Sequence, residues 1–243
     1  MTMLRIIGLS LSFAFGVLVA LVVSIYIFFR SLVRGARAFH PRGSVCRAQI
    51  TALDDVAGPR LAGAAEVRFA SSTADENAPD PSIIGLSIKI RDRDQDLAFG
   101  TFESFAKAGK ATETTNVADY LANEYASVAP WRVKGVGIAW LRLVPVPEAS
   151  APKTGLRTER LDADIAAGRA TFILEARSAP NPDGPLLCQL AKVRLTERVP
   201  ADDPEHRISM FRTGRGIVPT GFRNGVRAIV YPVSQLARRL RGG

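Results

Sequence analysis

The chain has 243 residues, 47% of them hydrophobic, and its 32 basic and 23 acidic side chains give a formal net charge of +9. That length holds one ordinary domain, or two small ones, beside any membrane segment. The basic residues are not interleaved with aromatics that would stack bases, so no nucleic-acid partner is expected. Cys46 and Cys188 stand far apart without a Cys-x-x-Cys, and two histidines are too few for a Cys/His zinc site; whether the thiols pair is left open.

From Ile6 to Phe29 the chain runs 24 residues without a charge. At ~1.5 Å per residue this reaches about 36 Å, more than the ~30 Å hydrocarbon core of a bilayer. It is too long for the apolar stretch of a cleaved signal, and no small-residue cleavage site follows, so a retained single-pass anchor in lipid is expected. Arg5 precedes the run, whereas Arg30, Arg34, Arg37, Arg42 and Arg47 follow it. The positive-inside tendency places the rest of the chain in the cytoplasm, with a bacterial inner membrane as the expected location. Residues 1–36 are assigned to the anchor and 37–243 to a single further domain.

Beyond the anchor, "SVCRAQITAL", "AAEVRFASS", "IIGLSIKIRD" and "DLAFGTFESF" alternate apolar and polar residues and predict strands, with turns between them. In "NVADYLANEYASVAPW", Val117, Tyr120, Leu121 and Tyr125 sit near helical spacing, which predicts a helix stopped by Pro130. "GVGIAWLRLVPVP" predicts another strand and "EASAPKTG" a loop. Residues 157–179 read as a short helix capped at Gly168 and a strand from Ala170 to Ala176. "PLLCQLAKVRLTERV" gives one strand or two, and "GRGIVPTG" is a turn. "GVRAIVYPVSQLARRLR" predicts a terminal helix interrupted at Pro232. The acidic neighbours of His206, in "DDPEHRIS", are consecutive and cannot converge on one ion, so a solvated loop is expected there. Many short strands with peripheral helices indicate an α+β chain built on an antiparallel barrel or sandwich.

Several of these stretches resemble, in order, the haem-binding core of the catalase superfamily. "RAFHPRG" is similar to the Arg-x-x-His-x-Lys/Arg-Gly segment, "EVRFASS" to the Val-Arg-Phe-Ser strand, "DPSIIGLSIKI" to the Asp-Pro-x-Gly segment and "DQDLAFGTFESF" to the strand after it. "LDADIAAGRATFILEARSA" resembles the acidic helix, turn and strand, and "RAIVY" the Arg-x-x-x-Tyr motif. The likeness covers residues 37–105 and 161–239, about half the chain. It implies a catalase-like antiparallel β-barrel with flanking helices, haem b as cofactor, and Tyr231 as the iron ligand. Arg227, one helical turn before it, is then the cation that favours the phenolate. His40 becomes the distal acid–base group, and Arg37 and Arg68 pair with the haem carboxylates.

The implied activity is that of a membrane-anchored peroxidase or catalase acting on hydrogen peroxide or on organic and lipid hydroperoxides. Where the family has its distal asparagine, this chain has Gly100 and Thr101, and Ala70 stands in place of the serine after "VRF". These departures keep two other readings open. One is a haem-free binding or structural module on the same barrel. The other is an accessory subunit of a membrane complex, contacted through Gly8, Ser10, Ser12, Gly16 and Ala20 of the anchor.

Overall fold

A computed structural model of the chain describes residues 3–35, 43–71, 77, 84–90, 94–102, 108–146, 154–180, 184–199 and 206–241. Arg37 and His40 lie outside the described residues.

The apolar run forms a single helix, α1 (Met3–Arg34), long and apolar enough to cross a membrane. The four alternating stretches form β1 (Ser44–Ala52), β2 (Gly63–Ser71), β3 (Ile84–Ile90) and β4 (Gln95–Gly100). Each pairs antiparallel with the next. A helical turn, α2 (Gly58–Leu61), fills the first connection, where the Asp54 carboxylate accepts from the Val56, Ala57 and Gly58 amides. Those amide bonds favour the charged carboxylate and lower its pKa, with the Ala57 amide contributing most.

The helix expected between 116 and 130 does not form. The chain makes α3 (Ala108–Thr114) earlier, then a single 3-10 turn at Tyr120–Ala122 and two-residue β5 (Tyr125–Ala126). Side chains take the bonds a helix would use: Asp119 Oδ1 accepts from the Leu121 amide, while Asn123 donates to the Asn116 and Asp119 carbonyls and accepts from the Asn116 amide. Tyr120 and Tyr125 are therefore barrel-core residues, not one face of a helix.

β6 (Trp131–Val133) and β7 (Gly137–Pro145) follow, then α4 (Arg157–Ala166), ended by Gly168 at φ +72°, and β8 (Thr171–Arg177). β9 (Leu186–Val199) is one long strand, bulged where it pairs with β1 and β8. The "GRGIVPTG" turn contains a three-residue strand, β10 (Ile217–Pro219), paired with β6. α5 (Gly221–Leu240) is continuous through Pro232 rather than interrupted. Both halves are held from outside, since Ala228 is buried in the barrel core and Gln235 donates to the Ile208 carbonyl.

The strand order β7–β5–β4–β3–β2–β1–β9–β8 closes through β7–β8 into an eight-stranded antiparallel barrel, with β6 and β10 appended to β7. Inside it Phe69 stacks on Tyr120 at 4.6 Å between centroids, with Tyr125 and Phe172 at 5.9 and 6.2 Å. These rings, with Ile88, Leu97 and Leu174, fill the barrel.

α5 lies between the barrel and α1, and the two helices run parallel. A methyl added at Gly16 would fall 2.1 Å from the Phe222 carbonyl oxygen, and one at Gly225 2.1 Å from that of Phe13. Glycine at both positions lets the two backbones touch. Further along, the buried Ser31 and Ser234 hydroxyls meet at 2.8 Å, and Arg241 donates to the Leu32 carbonyl.

Candidate functional site

The strand register defines what the outer face of the barrel carries. Interior positions alternate with exterior ones, so Glu66, Arg68 and Ala70 of β2 lie outward beside Lys89, Ser87 and Gly85 of β3. Asp96, Ala98 and Gly100 of β4 complete the three rows.

The upper row is made of small residues only. Ala70, Gly85 and Gly100 are register partners in turn, and Gly100 pairs with Ala126 of β5. Four strands at ~4.8 Å spacing make this platform about 14 Å wide. At one end Gly43 abuts it, its added methyl falling 2.0 Å from the Phe69 carbonyl and 3.0 Å from Ala70. Two residues further along β1, Val45 is the register partner of Arg68, which is 6% exposed. At the other end, Arg227 donates to the carbonyl of Ser127, the residue after Ala126. Its second bond is to Asn224 Oδ1, and its neighbour Arg223 donates to the Val128 carbonyl. Burial, and then Arg227 beside it, lower the pKa of Arg223. Tyr231, one turn on, is half-buried and packs against both the barrel core and the cluster of Ala20, Ile27 and Val230 between α1 and α5.

The donor set suits an anionic, flat cofactor in its charges: Arg68 is held on the outer face, and Arg227 is four residues from a phenol. In the same place the Phe102 ring lies 2.8 Å from where a Gly100 methyl would stand, so that ring covers part of the platform. Thr101, next to Gly100, accepts from the Ile84 amide and from the Thr115 hydroxyl. It holds β3, β4 and α3 together.

The lower rows carry a network that sequence reasoning did not find. His206 is 1% exposed, not solvated: its Nε2 lies 3.0 Å from Ser87 Oγ and its Nδ1 3.2 Å from Glu66 Oε2. Beside it Asp96, fully buried, accepts from the Ser209 amide at 2.8 Å and faces Arg212 at 3.1 Å. Burial raises the Asp96 carboxyl to about 6 against the opposing pull of that amide, Arg212 and Lys89. Ser, His and Glu in this order resemble a hydrolytic array, but β3 is paired on both sides, so the amides around Ser87 are spent in the ladders. The array is a clamp: it pins the stretch from His206 to Arg212 across the barrel. The signal available in the sequence was the outward placement of Glu66 and Ser87 on alternating strands, two polar groups in need of a cover.

Two cavities of about 410 and 420 Å³ open on this surface. The first lies between α3 and the barrel, lined by Thr101, Phe102, Lys110 and Thr115, with the Arg142–Glu124 ion pair in its wall. The second lies under Gln235, lined by Lys89, Arg207 and Arg212. Neither is lined by Arg68, Arg227 or Tyr231. Cys46 and Cys188 are not joined in a disulfide. On α1, Gly16 and Ala20 face α5, whereas Gly8 and Ser10 are exposed. No family model matches the sequence, and no curated protein matches it.

Proposed function

We propose that this chain is a membrane-attached, catalase-like barrel that holds haem b on the outer face of β2–β5 and uses it on hydrogen peroxide or lipid hydroperoxides. The observation that carries this reading is the platform Ala70–Gly85–Gly100–Ala126, about the width of a tetrapyrrole. It runs from Gly43, just before β1, to the point where Arg227 docks. Bound haem would supply a ferric centre able to reduce a peroxide. Tyr231 would ligate the metal, and the cations Arg227 and Arg223 would favour its deprotonated form. Arg37 and Arg68 would pair with carboxylates at the rim. His40 would take a proton from the near oxygen of a peroxide and return it to the far one. A membrane-attached domain meets lipid hydroperoxides where they partition. The test is the absorption spectrum of detergent-solubilised full-length protein. A Soret band is expected in the wild type and its loss in Tyr231→Phe; a colourless protein with native circular dichroism overturns the reading.

A haem-free binding or structural module is the second reading, favoured by the Phe102 ring over Gly100 and by the apolar packing of Tyr231. An accessory role in a membrane complex would use the exposed Gly8 and Ser10 side of α1, and it predicts stoichiometric co-purification with a larger membrane protein.

A further inference from the structure

We propose that α1 attaches the protein to one leaflet by lying in the plane of the membrane surface, with α5 and the barrel above it, instead of crossing the bilayer. The inference rests on the membrane attachment proposed above and concerns its geometry.

Contact between α1 and the rest of the chain extends over nearly all of its length. At its start the Arg5 guanidinium sits 5.9 Å from the centre of the Trp140 ring on β7. Phe13 and Gly16 touch the first turn of α5, Ala20 and Ile27 share a cluster with Val230, and Ser31 meets Ser234. Beyond the end of α5, Arg241 reaches back to Leu32. At ~1.5 Å per residue this docked helix is about 48 Å long.

A crossing α1 in this arrangement would carry α5 into the hydrocarbon with it. Arg223, Asn224 and Arg227 of α5 are bonded to the Val128, Pro130 and Ser127 carbonyls of the barrel, so the barrel would follow. Charged side chains and barrel loops have no place at that depth. The docked helix and the crossing helix exclude one another.

The remaining face of α1 is suited to the alternative. Leu4, Ile7, Leu11, Leu18, Ile25 and Phe29 recur at steps of three, four and seven residues and are all exposed, opposite the docked seam. They form one apolar stripe along the helix. Such a stripe settles about 5–10 Å into the boundary between headgroups and acyl chains. The seam that an interfacial helix ordinarily covers with charge is here covered by α5. Arg30 and Arg34 on α1, with Arg239 and Arg241 beyond Pro232, gather at one end and complement anionic headgroups, in keeping with the net charge of +9. The occupant of the stripe is accordingly a bilayer containing anionic phospholipid.

The test uses the full chain with both native cysteines replaced by alanine and one cysteine returned, at Met3 or at Lys192 on the barrel surface. Membranes are sealed and probed with an impermeant maleimide. In-plane attachment predicts that Met3→Cys and Lys192→Cys react in the same vesicle preparation, both before the vesicles are opened. Reaction of one before opening and of the other only after it overturns the proposal. As a second measurement, Phe15→Cys and Phe222→Cys, whose native rings are 5.8 Å apart, are oxidised in the membrane-bound chain. An intramolecular disulfide is expected, and its absence overturns docking in the membrane. A chain that stays in the supernatant as a dimer, with its α1 stripes paired, also overturns the proposal. A chain that stays there as a monomer shows failure of the membrane reading itself, a result distinguishable from a crossing helix.

Discussion

The inside of the barrel and the outer face of β2–β4 are built from the same strands with opposite chemistry, one residue out of step. Inward lie Phe69, Ile88 and Leu97, packed with Tyr120, Tyr125 and Phe172. Outward lie Glu66 and, next in sequence to those apolar residues, Arg68, Ser87, Lys89 and Asp96. The interior satisfies itself by close packing and is filled with side chains. The exterior has ionisable groups that need partners, and the chain supplies them by laying His206–Arg212 across the strands. The contrast teaches where open space remains: the two cavities lie on the flank of the barrel and not in its filled lumen.

Removing a ring from the filled side should have the largest effect. Phe69→Ala takes away the residue that stacks on Tyr120 and touches Tyr125 and Phe172, and should cost about 3–5 kcal/mol in denaturant unfolding. A smaller loss would mean that the lumen collapses easily and is less tightly packed than its geometry implies. The covered flank answers to pH instead. The Asp96 carboxyl is raised from 3.8 to about 6 in the fold, so between those values the folded chain holds a proton that the unfolded chain releases. This group's contribution is therefore fully present below pH 3.8 and is lost as pH rises through about 6, a difference of up to about 3 kcal/mol. Asp96→Asn should remove that slope, seen as a flatter dependence of the urea midpoint on pH between 4 and 7; an unchanged slope would show that the cover leaves Asp96 solvated. Least sensitive is the uncovered surface. Arg47 and Glu197, paired across β1 and β9 with side chains 66% and 56% exposed, should contribute under about 1 kcal/mol. Arg47→Ala followed by urea unfolding at low and high salt checks this.

The strands were legible because alternation is a local property: β1 to β4, β7 and β8 fall where the period of two is clean. The segment around Tyr120 was not legible, because its spacing suits a helix until Asp119 and Asn123 take the backbone groups for themselves. Pro232 misled for the converse reason. A lost backbone donor breaks a helix only where nothing else holds it, and α5 is clasped by the barrel on one side and α1 on the other. On the candidate site, the sequence indicated Arg68 and the Arg227–Tyr231 pair as polar groups on structured elements, and Arg37 and His40 lie outside the described residues. It did not indicate the company they keep. That Arg227 reaches a barrel carbonyl and that His206 is sealed by Glu66 and Ser87 both depend on pairings across long sequence separations.

The seam between α1 and α5 joins the two ends of the chain in time as well as in space. Residues 35–220 separate the helices, so at ~5–20 residues per second α1 leaves the ribosome on the order of ten to forty seconds before its partner is complete. Through that interval its docking stripe, with Gly16 and Ala20, is as bare as its exposed one. Nascent α1 is an unshielded hydrophobic segment until α5 exists. Reaching the native pairing then requires the newborn helix to keep that stripe open for a late-arriving partner to claim it.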